Sequence, residues 1–509
     1  MNIRFYEGYL RNRSQLCEEL GIELRSGRRE SELAVLTAGY LRWGRDIVHH
    51  LYGAFGFAVW DEDDGTLFCA RDHFGIQSFY YSSAEDGRFL CGGELSDIVK
   101  DPHYKKSLDR DALQLYMMFG YPVGEKTLYE GVLKLMPGCT LVWDGKAVQI
   151  NRYYSLSFQP DLSSSEEEWI RRIDQALQDT LSEDSLNYDF ADCMTFLSGG
   201  VDSSYPLASS GIRDTVGIGC LESGISETPA ASAAAETLGA RLHALCISAE
   251  DYFRIIPTMV RNYELPLADT CSPAFALGCE HVAGNARAFL SGEGPDEFFS
   301  GYNVHRRSNE LGTEGAPYYG CDGVMDQKEA MELIGVQNAY PVETLVRDIR
   351  RLTRDAEPLT RMLAVDISLW LEGDILFSAC RSARGNGIDL LLPFVDRRIF
   401  EISAAIPSAL KRKYGIEKYI LRRAAETRLP HEIAFRPKKG FPVPARQWFR
   451  EERFRSQIEK LLFGDISAAY FDQRILRTYW DAFLSGDDIA WKIPYAVYIF
   501  VIWYETCFK

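Results

Sequence analysis

The sequence predicts an α/β protein of two domains, and three observations indicate this class. The chain has 509 residues, which is more than one domain usually contains. Short runs rich in aromatic and β-branched residues, broken by Gly, Asp and Asn, fill its N-terminal third. After them, strand-like and helix-like stretches alternate, which favours a parallel sheet with helices on both faces.

The N-terminal strands are predicted at AFGFAVWD, TLFCARD, SFYYSS, RFLCGGE, CTLVWDG and AVQINRYY. A polar, acidic and serine-rich stretch, FQPDLSSSEEEW, follows them and indicates a linker. Apolar residues then recur at helical spacing in EEEWIRRIDQALQDTL, and residues 161–165 are suited to end the linker and cap that helix. We therefore predict two domains, residues 1–162 and residues 163–509.

The second domain begins with a predicted parallel sheet and ends in helices. Its strands are expected at DCMTFL, TVGIGCL, RLHALCI and ARAFLS, and the pattern is mostly helical from about residue 328. The longest apolar run, IPYAVYIFVIWYETCF, is too short to span a bilayer and favours a buried terminal helix.

Composition and net charge argue against some classes of binding partner. The formal net charge of −17 argues against a general nucleic-acid binder, because phosphate binding needs a basic surface. No membrane span and no signal-like segment is expected. The twelve cysteines show neither CxxC nor zinc spacing, which suits a reducing compartment and predicts a cytoplasmic protein. Small buried apolar residues are the simpler interpretation of these cysteines.

The stretch LSGGVDSS follows the first strand of the second domain and carries the strongest chemical signal. Ligands in open α/β sheets bind at the carboxyl ends of strands, where a helix N-terminus presents free N–H groups. Glycines allow close backbone approach, and Asp202 could hold a magnesium ion that bridges phosphate oxygens. We therefore predict a pyrophosphate cradle, and a tight turn with Asp202 as helix cap is the alternative. The cradle residues are Leu197, Ser198, Gly199, Gly200, Asp202, Ser203 and Ser204.

SGGVDSS resembles the signature loop of the ATP pyrophosphatases, and further stretches in the same order resemble the asparagine synthetase superfamily. These are the helix after Glu227, then ELPLADT, LSGEGPDEFFSGY, LLPFVDRRIFE and EKYILRRAAETRLPHEIAFRPKKGFPVPARQWF. The resemblance covers nearly the whole chain. It implies a truncated N-terminal αββα sandwich of the Ntn-hydrolase type and a C-terminal ATP-pyrophosphatase domain of the adenine nucleotide α hydrolase-like fold.

The resemblance also implies ATP and Mg²⁺ as cofactors. The cradle would hold the leaving pyrophosphate, with Asp202 acting as the metal ligand, and Gly292 would contact the nucleotide. Lys438 matches the lysine that faces the α-phosphate, where a cation neutralises charge that builds during attack. A solvated lysine is the alternative for Lys438.

On the amine side, Glu293 matches the glutamate proposed as the base that deprotonates the attacking amine. Asp296 and Glu297 match positions that shape the site and bind the amine, and capping of a helix N-terminus is the alternative for both. Lys418 and Arg422 match basic residues of a helix, and for them a structural role is the favoured interpretation.

The chain departs from the family at its N-terminal end. Glutamine-dependent members begin Met-Cys-Gly with the cysteine as nucleophile, whereas this sequence begins Met1-Asn2-Ile3. Asn2 has neither a hydroxyl nor a thiol, so it cannot replace the cysteine as nucleophile. The asparagine of the family's NGE appears as Glu7, and the aspartate of its sDtE appears as Ser31. Scaffold strings such as LYGAFGFAVWD and ARDHFGIQSFYY are retained, so we expect a glutaminase-like fold without glutaminase chemistry.

A second departure lies in LFSACRSARGNGIDLLLPFVD, the stretch that resembles the family's binding site for the acceptor substrate. The family's aspartate and arginine there appear as Cys380 and Leu391, and a glutamate appears as Asp389. Losing an arginine and an aspartate removes groups suited to a small zwitterion. We therefore predict that Cys380 and Leu391 line a roomier, more apolar pocket and that aspartate is not the substrate.

Together these features predict an ATP-dependent, AMP-forming amide synthetase that joins a small-molecule or peptide carboxylate to an amine without glutamine hydrolysis. Such enzymes occur in specialised metabolism, as in β-lactam synthetases and lasso-peptide cyclases. An ammonia-dependent asparagine synthetase and a non-catalytic binding protein on the same fold are the alternatives. No nucleic-acid or membrane partner is expected, and a homodimer is left open.

Overall fold

The computed structural model describes residues 1–23, 27–83, 87–220, 227–313, 318–320, 323–438, 440 and 443–509. The N-terminal strands are β1 (Asn2–Leu10), β2 (Gly53–Asp61), β3 (Thr66–Arg71), β4 (Tyr80–Ser83), β5 (Phe89–Gly92), β6 (Leu133–Lys134), β7 (Cys139–Trp143) and β8 (Val148–Arg152). The helices of this region are α1 (Arg13–Leu20), α2 (Arg28–Trp43), α3 (Ser96–Val99) and α4 (Arg110–Phe119), with a 3₁₀ segment at Gly44–His49.

These elements form a layered sandwich. The strands pair antiparallel in two sheets, of order β1-β2-β3-β7-β8 and β5-β4-β6. Alternation along β2 sends Phe57 to the face that packs on α1 and α2, and sends Ala58 to the face that packs on the smaller sheet. Helix α3 covers the far side of β4 and β5. The predicted α/β class is confirmed, and each N-terminal strand predicted from the sequence is present.

The second region contains a parallel sheet of order β11-β10-β9-β12-β13. Its strands are β9 (Cys193–Phe196), β10 (Asp214–Cys220), β11 (Arg241–Ile247), β12 (Ala288–Leu290) and β13 (Asp389–Leu391). The helices that alternate with them are α5 (Glu166–Asn187), α6 (Val201–Ser210), α7 (Thr228–Leu238), α8 (Ala249–Tyr263), α9 (Ser272–Val282) and α10 (Pro295–Phe299), with a 3₁₀ segment at Phe190–Asp192.

The remaining elements are helical apart from β13, as the sequence predicts. They are α11 (Ser308–Leu311), α12 (Gln327–Ile334), α13 (Glu343–Leu352), α14 (Pro358–Val365), α15 (Phe377–Gly385), α16 (Arg397–Ala405), α17 (Ser408–Lys411), α18 (Tyr419–Ala425), α19 (His431–Ala434), α20 (Ala445–Arg450), α21 (Glu452–Leu462), α22 (Asp465–Tyr470), α23 (Gln473–Leu484) and α24 (Lys492–Trp503). A 3₁₀ segment lies at Asn303–Arg307, and π-helical segments lie at Asp366–Leu376 and Tyr504–Phe508.

Helix α5 begins where the sequence predicts a cap. The Ser165 side chain accepts a hydrogen bond from the Glu168 backbone N–H at 3.2 Å. Glu166, Glu167 and Glu168 occupy the first turn, where negative charge stabilises the positive end of the helix dipole. The division of the chain at residue 162 stays a prediction.

The sheet order sets the position of the site. Strand β9 lies between β10 and β12, and Thr195 of β9 pairs with Leu290 of β12. The segments after β9 and after β12 therefore leave the sheet side by side at its carboxyl edge. These two segments carry SGGVDSS and SGEGPDE.

The terminal apolar run forms the buried helix α24, which packs against α8 and α4. Across the parts of the chain that the structure describes, no helix combines the length and apolar character needed to cross a bilayer.

A buried ion-pair group joins the two regions. The guanidinium of Arg11, at the end of β1, donates to Asp184 of α5 at 2.9 Å and to Asp396 at 2.7 Å. All three side chains are buried. One apolar core also continues from Tyr9 and Met117 of the first region into the helices of the second.

Candidate functional site

The loop after β9 is folded by its own serines and glycines. The Ser198 N–H donates to the Ser203 hydroxyl at 3.1 Å, and the Gly200 N–H donates to the Ser198 hydroxyl at 3.3 Å. Gly199 has φ +79°, and a Cβ there would lie 2.5 Å from the carbonyl oxygen of Ala230. Only glycine therefore fits this turn, which sets hydroxyls and N–H groups at the start of α6.

The loop after β12 rests directly on the start of α6. A Cβ on Gly292 would lie 2.2 Å from the Asp202 carbonyl oxygen, so glycine permits this approach. Ser291 is fixed by donating its N–H to the Leu391 carbonyl at 3.0 Å, and its hydroxyl donates to Glu293 at 3.0 Å. The close packing brings Glu293 beside the pyrophosphate cradle.

Two acids and two lysines alternate at the centre of the site, and we call them the charge cluster. Lys418 Nζ lies 2.6 Å from an Asp202 carboxylate oxygen and 2.7 Å from an Asp296 carboxylate oxygen. Lys438 forms an ion pair with the other oxygen of Asp296. The Lys418 side chain is 1% exposed, whereas that of Lys438 is 30% exposed. Lys418 is thus enclosed, and Lys438 is partly exposed to solvent.

Asp202 has the free oxygen that a metal ligand requires. Its second carboxylate oxygen, Oδ1, is buried and accepts no hydrogen bond from any described residue. The Ser204 hydroxyl is also buried and forms no hydrogen bond with a described residue. An anionic oxygen without a partner suits a hard divalent cation. Within the described residues, no group of three or more His, Cys, Asp or Glu side chains could hold a metal ion. A magnesium ion would therefore need phosphate oxygens in addition to Asp202.

The carboxylates of the site differ in proton affinity because their surroundings differ. Burial, with Asp296 and Asp202 nearby, raises the pKa of Glu293 above its ordinary value. Burial and the charge of Asp296 raise the pKa of Glu297 to about 8. Burial would also raise the pKa of Asp296, but Lys418 and Lys438 hold that pKa well below its ordinary value.

Glu297 is held by an aromatic pair. The Tyr302 hydroxyl donates to Glu297 Oε1, and the Trp370 indole N–H lies 3.1 Å from the Tyr302 oxygen. Lys438 Nζ lies 4.8 Å from the centre of the Tyr302 ring. Burial would lower the pKa of Lys438, but Asp296 and Asp202 raise it, so this lysine keeps its positive charge.

The structure brings most of the predicted site residues together, but their roles stay predictions. Asp202, Glu293, Asp296, Glu297 and Lys438 converge at the carboxyl edge of the sheet, and Leu197 is buried at the end of β9.

The two predicted acceptor residues lie in different surroundings. Cys380 lies on α15, where burial raises the pKa of its thiol and Glu293 is among the charges that act on it. Leu391 has no exposed surface and belongs to the apolar core. The structure therefore brings Cys380 towards Glu293 and does not bring the Leu391 side chain to the site.

Lys418 is the residue whose role sequence reasoning underestimated. The structural interpretation preferred for it does not anticipate a lysine that bridges Asp202 and Asp296. Lys418 also has φ +53°, a left-handed conformation that is costly for a non-glycine residue. Its position in EKYILRR was the available signal, but neither this conformation nor its two partners can be seen in a sequence.

Arg422 has the structural role that was favoured for it. Its guanidinium donates to the carbonyls of Ala434 and Arg436 at 2.9 and 2.8 Å. Arg436 in turn donates to the Gly199 carbonyl at 3.4 Å. This chain of contacts ties the segment that carries Lys438 to the pyrophosphate cradle.

A second ion-pair network joins the N-terminal sandwich to α15. Both oxygens of Glu7 accept from the Arg384 guanidinium. Arg384 also lies 2.6 Å from Glu94, and Arg381 connects Glu94 to Glu264 at 2.7 and 3.1 Å. The Glu7 carboxylate is thus bound within the protein. Ser31, the other departure in this domain, is buried and donates to the Gly27 carbonyl.

Comparison with known proteins identifies both regions. Residues 172–505 match the family model described as asparagine synthase, and residues 3–154 match the one described as a glutamine amidotransferase domain. "Asparagine synthetase [glutamine-hydrolyzing] 1" of Bacillus subtilis (strain 168) is 28% identical, over 98% of this chain and 85% of that protein. "Asparagine synthetase [glutamine-hydrolyzing] 3" of the same organism is 27% identical, over 96% and 83%. "Amidase chyE" of Penicillium rubens is 24% identical, over 82% and 73%.

Proposed function

The chain belongs to the asparagine synthase family, whose members are ATP-dependent ligases that form amides and release AMP and pyrophosphate, and on this premise we propose a specific reaction. The protein activates a carboxylate substrate as an acyl-adenylate and joins it to an amine without hydrolysing glutamine. The observation that carries this proposal is the charge cluster beside the pyrophosphate cradle, formed by Asp202, Lys418, Asp296 and Lys438.

In the first half-reaction, a substrate carboxylate oxygen attacks the α-phosphorus and the bond to the leaving pyrophosphate breaks. The N–H groups and hydroxyls of the cradle bind the leaving group. Asp202 Oδ1 would hold a Mg²⁺ ion, which would supply positive charge to the phosphate oxygens. Lys438 is the mobile cation, because its side chain is partly exposed and can turn from Asp296 to the α-phosphate.

In the second half-reaction, the amine nitrogen attacks the activated carbonyl carbon and AMP leaves with the bond electrons. The nitrogen must lose a proton to become a neutral amide. Glu293 accepts it, because burial raises its pKa above the ordinary value while Ser291 keeps the carboxylate oriented. Glu297 and Tyr302 line the approach of the amine.

The glutamine-independent mode is supported by the Glu7 pairing. Two relatives are named as glutamine-hydrolysing enzymes, and the family's asparagine at this position appears here as Glu7. Both Glu7 oxygens are occupied by Arg384, so this side chain fastens the two domains together. We propose that the amine comes from solution, and that Cys380 makes the acceptor pocket suited to a substrate of specialised metabolism.

Asparagine synthesis from aspartate and ammonia is the second candidate, and the names of the relatives favour it. Leu391 argues against aspartate as the substrate, because it replaces a charged residue of the family. It gives no argument about the size of the pocket, because its side chain lies in the core.

Isotope exchange between pyrophosphate and ATP, measured against a panel of carboxylic acids that includes aspartate, tests the proposal. We expect exchange that depends on one acid class other than aspartate, and amide formation with an added amine. Glutamate release from glutamine coupled to AMP formation would overturn the glutamine-independent mode. Aspartate with ammonium as the best pair would replace the first candidate with the second. No exchange with any acid would remove the synthetase proposal.

A further inference from the structure

A cavity of about 410 Å³ lies between α13 and α14, and none of its lining residues belongs to the charge cluster. This volume is in the range of small-molecule sites. Its floor includes Tyr318, Met362 and Val365, which are buried. Five arginines line it together with one acid; they are Arg347, Arg350, Arg351, Arg354, Arg361 and Glu343.

The arginines share one side of a helix by their spacing. Arg347, Arg350, Arg351 and Arg354 stand at positions i, i+3, i+4 and i+7 along α13 and the turn after it. Residues at this spacing lie on the same face, so the guanidinium groups are brought together. Like charges at this spacing destabilise a helix, and a bound anion would relieve the repulsion.

The protein satisfies only part of this positive charge. Glu343 binds Arg350 at 2.6 Å, and Arg361 donates to the carbonyls of Ala356 and Arg354 at 3.1 and 2.5 Å. Arg351 and Arg354 have no acidic partner within 4.0 Å among the described residues. A concentration of cations around one concave surface is unusual for a chain with net charge −17.

Buried hydrogen bonds hold the floor of the cavity in place. The Tyr318 hydroxyl lies 2.8 and 2.9 Å from the two carboxylate oxygens of Asp366. His305 lies 2.8 Å from Asp366, and Ser300 lies 3.3 Å from His305. Ser300 directly follows α10, which carries Asp296 and Glu297, so buried polar contacts connect the cavity floor to the end of that helix.

We propose that this cavity binds a small anion that carries two or more carboxylate or phosphate groups. Arginine is suited to both groups, because its planar guanidinium binds carboxylate and phosphate with two parallel hydrogen bonds. Several guanidiniums around one cavity match a ligand with several acidic groups better than one with a single group. The inference concerns binding alone and does not depend on the proposed reaction.

Titration calorimetry with the full chain tests it, with citrate in one arm and fructose 1,6-bisphosphate in the other. Arg351→Gln with Arg354→Gln removes two lining charges. Arg474→Gln with Arg477→Gln is the matched control, since it removes the same charge from the exposed face of α23. Thermal unfolding of both double variants checks that they are folded.

We expect at least one probe to bind the wild type, and to bind less well as ionic strength increases. Affinity should fall at least tenfold in the cavity variant and stay unchanged in the control. The probe that binds more tightly shows whether the cavity prefers carboxylate or phosphate groups. The proposal is overturned if neither probe binds, or if the cavity variant and the wild type bind both probes equally.

Discussion

Glu293 and Glu297 lie four residues apart, the first half-buried and the second buried, and their partners differ. Glu293 accepts from a serine hydroxyl, and Glu297 accepts from the Tyr302 phenol. Lys418 and Lys438 likewise share Asp296 but differ in exposure. Differences of this kind assign separate tasks to residues of the same type, and each can be tested by one substitution.

Glu293→Gln should separate the two half-reactions. The amide keeps the shape of the side chain but cannot accept a proton, so adenylation should continue while amide formation slows by roughly 10²–10⁴-fold. Pyrophosphate exchange and product formation are measured on the same sample. Loss of both activities together would place Glu293 in adenylation.

Glu297→Gln should change how stability depends on pH. The carboxyl titrates near 4.5 when unfolded and near 8 when folded, so the folded state binds the additional proton between these values. The free energy of unfolding therefore loses a contribution as the pH rises through this window. The variant has no such charge, so its melting temperature relative to wild type should increase from pH 5 to pH 9. A constant difference across this range would contradict the raised pKa.

Lys418→Met and Lys438→Met should fail in different ways. Lys418 is held between Asp202 and Asp296, and removing it leaves partly buried negative charge at a cost of at most about 3–5 kcal/mol in unfolding free energy. Lys438→Met should leave the melting temperature nearly unchanged and reduce the rate of exchange by roughly 10²–10³-fold. Chemical denaturation and exchange kinetics measure both effects. A rate loss at Lys438 seen only in KM would assign it to ground-state binding.

At the scale of elements, the turn before α6 contains two neighbouring glycines that differ in how well they tolerate a side chain. Gly199→Ala should displace the cradle, because φ is +79° and the new methyl would meet the Ala230 carbonyl at 2.5 Å. Gly200→Ala is the control, since its nearest atom is the Ser198 hydroxyl at 3.5 Å. We expect Gly199→Ala to weaken ATP binding at least tenfold, measured by equilibrium dialysis, with much less change for Gly200→Ala. Equal effects would mean that the methyl group itself blocks phosphate.

Periodicity predicted β2, β3, β10 and α5, because each of them buries one side or one continuous run. The nine-residue strand β1 was not predicted. Strands β6 and β13 contain only two and three residues, too few for a period, and form because neighbouring strands supply their hydrogen bonds. The site was predicted as far as motifs mark it. The bridge made by Lys418 and the burial of Leu391 depend on contacts between distant segments, which no local pattern encodes.

At the scale of the whole molecule, Arg11 joins two domains through buried carboxylates. Arg11→Met should cost about 3–5 kcal/mol of unfolding free energy at neutral pH, because Asp184 and Asp396 are left buried with less compensation. Arg398 and Arg11 together oppose burial and lower the pKa of Asp396 to about 2. The part of the deficit that comes from Asp396 should therefore be lost as the pH falls towards 2, where this carboxylate protonates in the wild type. Arg172→Met, on the exposed side of α5, is the control in urea titrations. A loss equal to that of the control would contradict the burial argument.

The apolar core that runs from the N-terminal sandwich into the terminal helix has a consequence for the history of the protein. The Tyr116 hydroxyl of α4 donates to the Ala496 carbonyl of α24 at 2.8 Å, and the Tyr129 ring lies 5.6 Å from the Trp503 ring. A lineage that deleted the first domain would expose this surface to water and to other chains. The first domain therefore covers this apolar surface whether or not it performs chemistry.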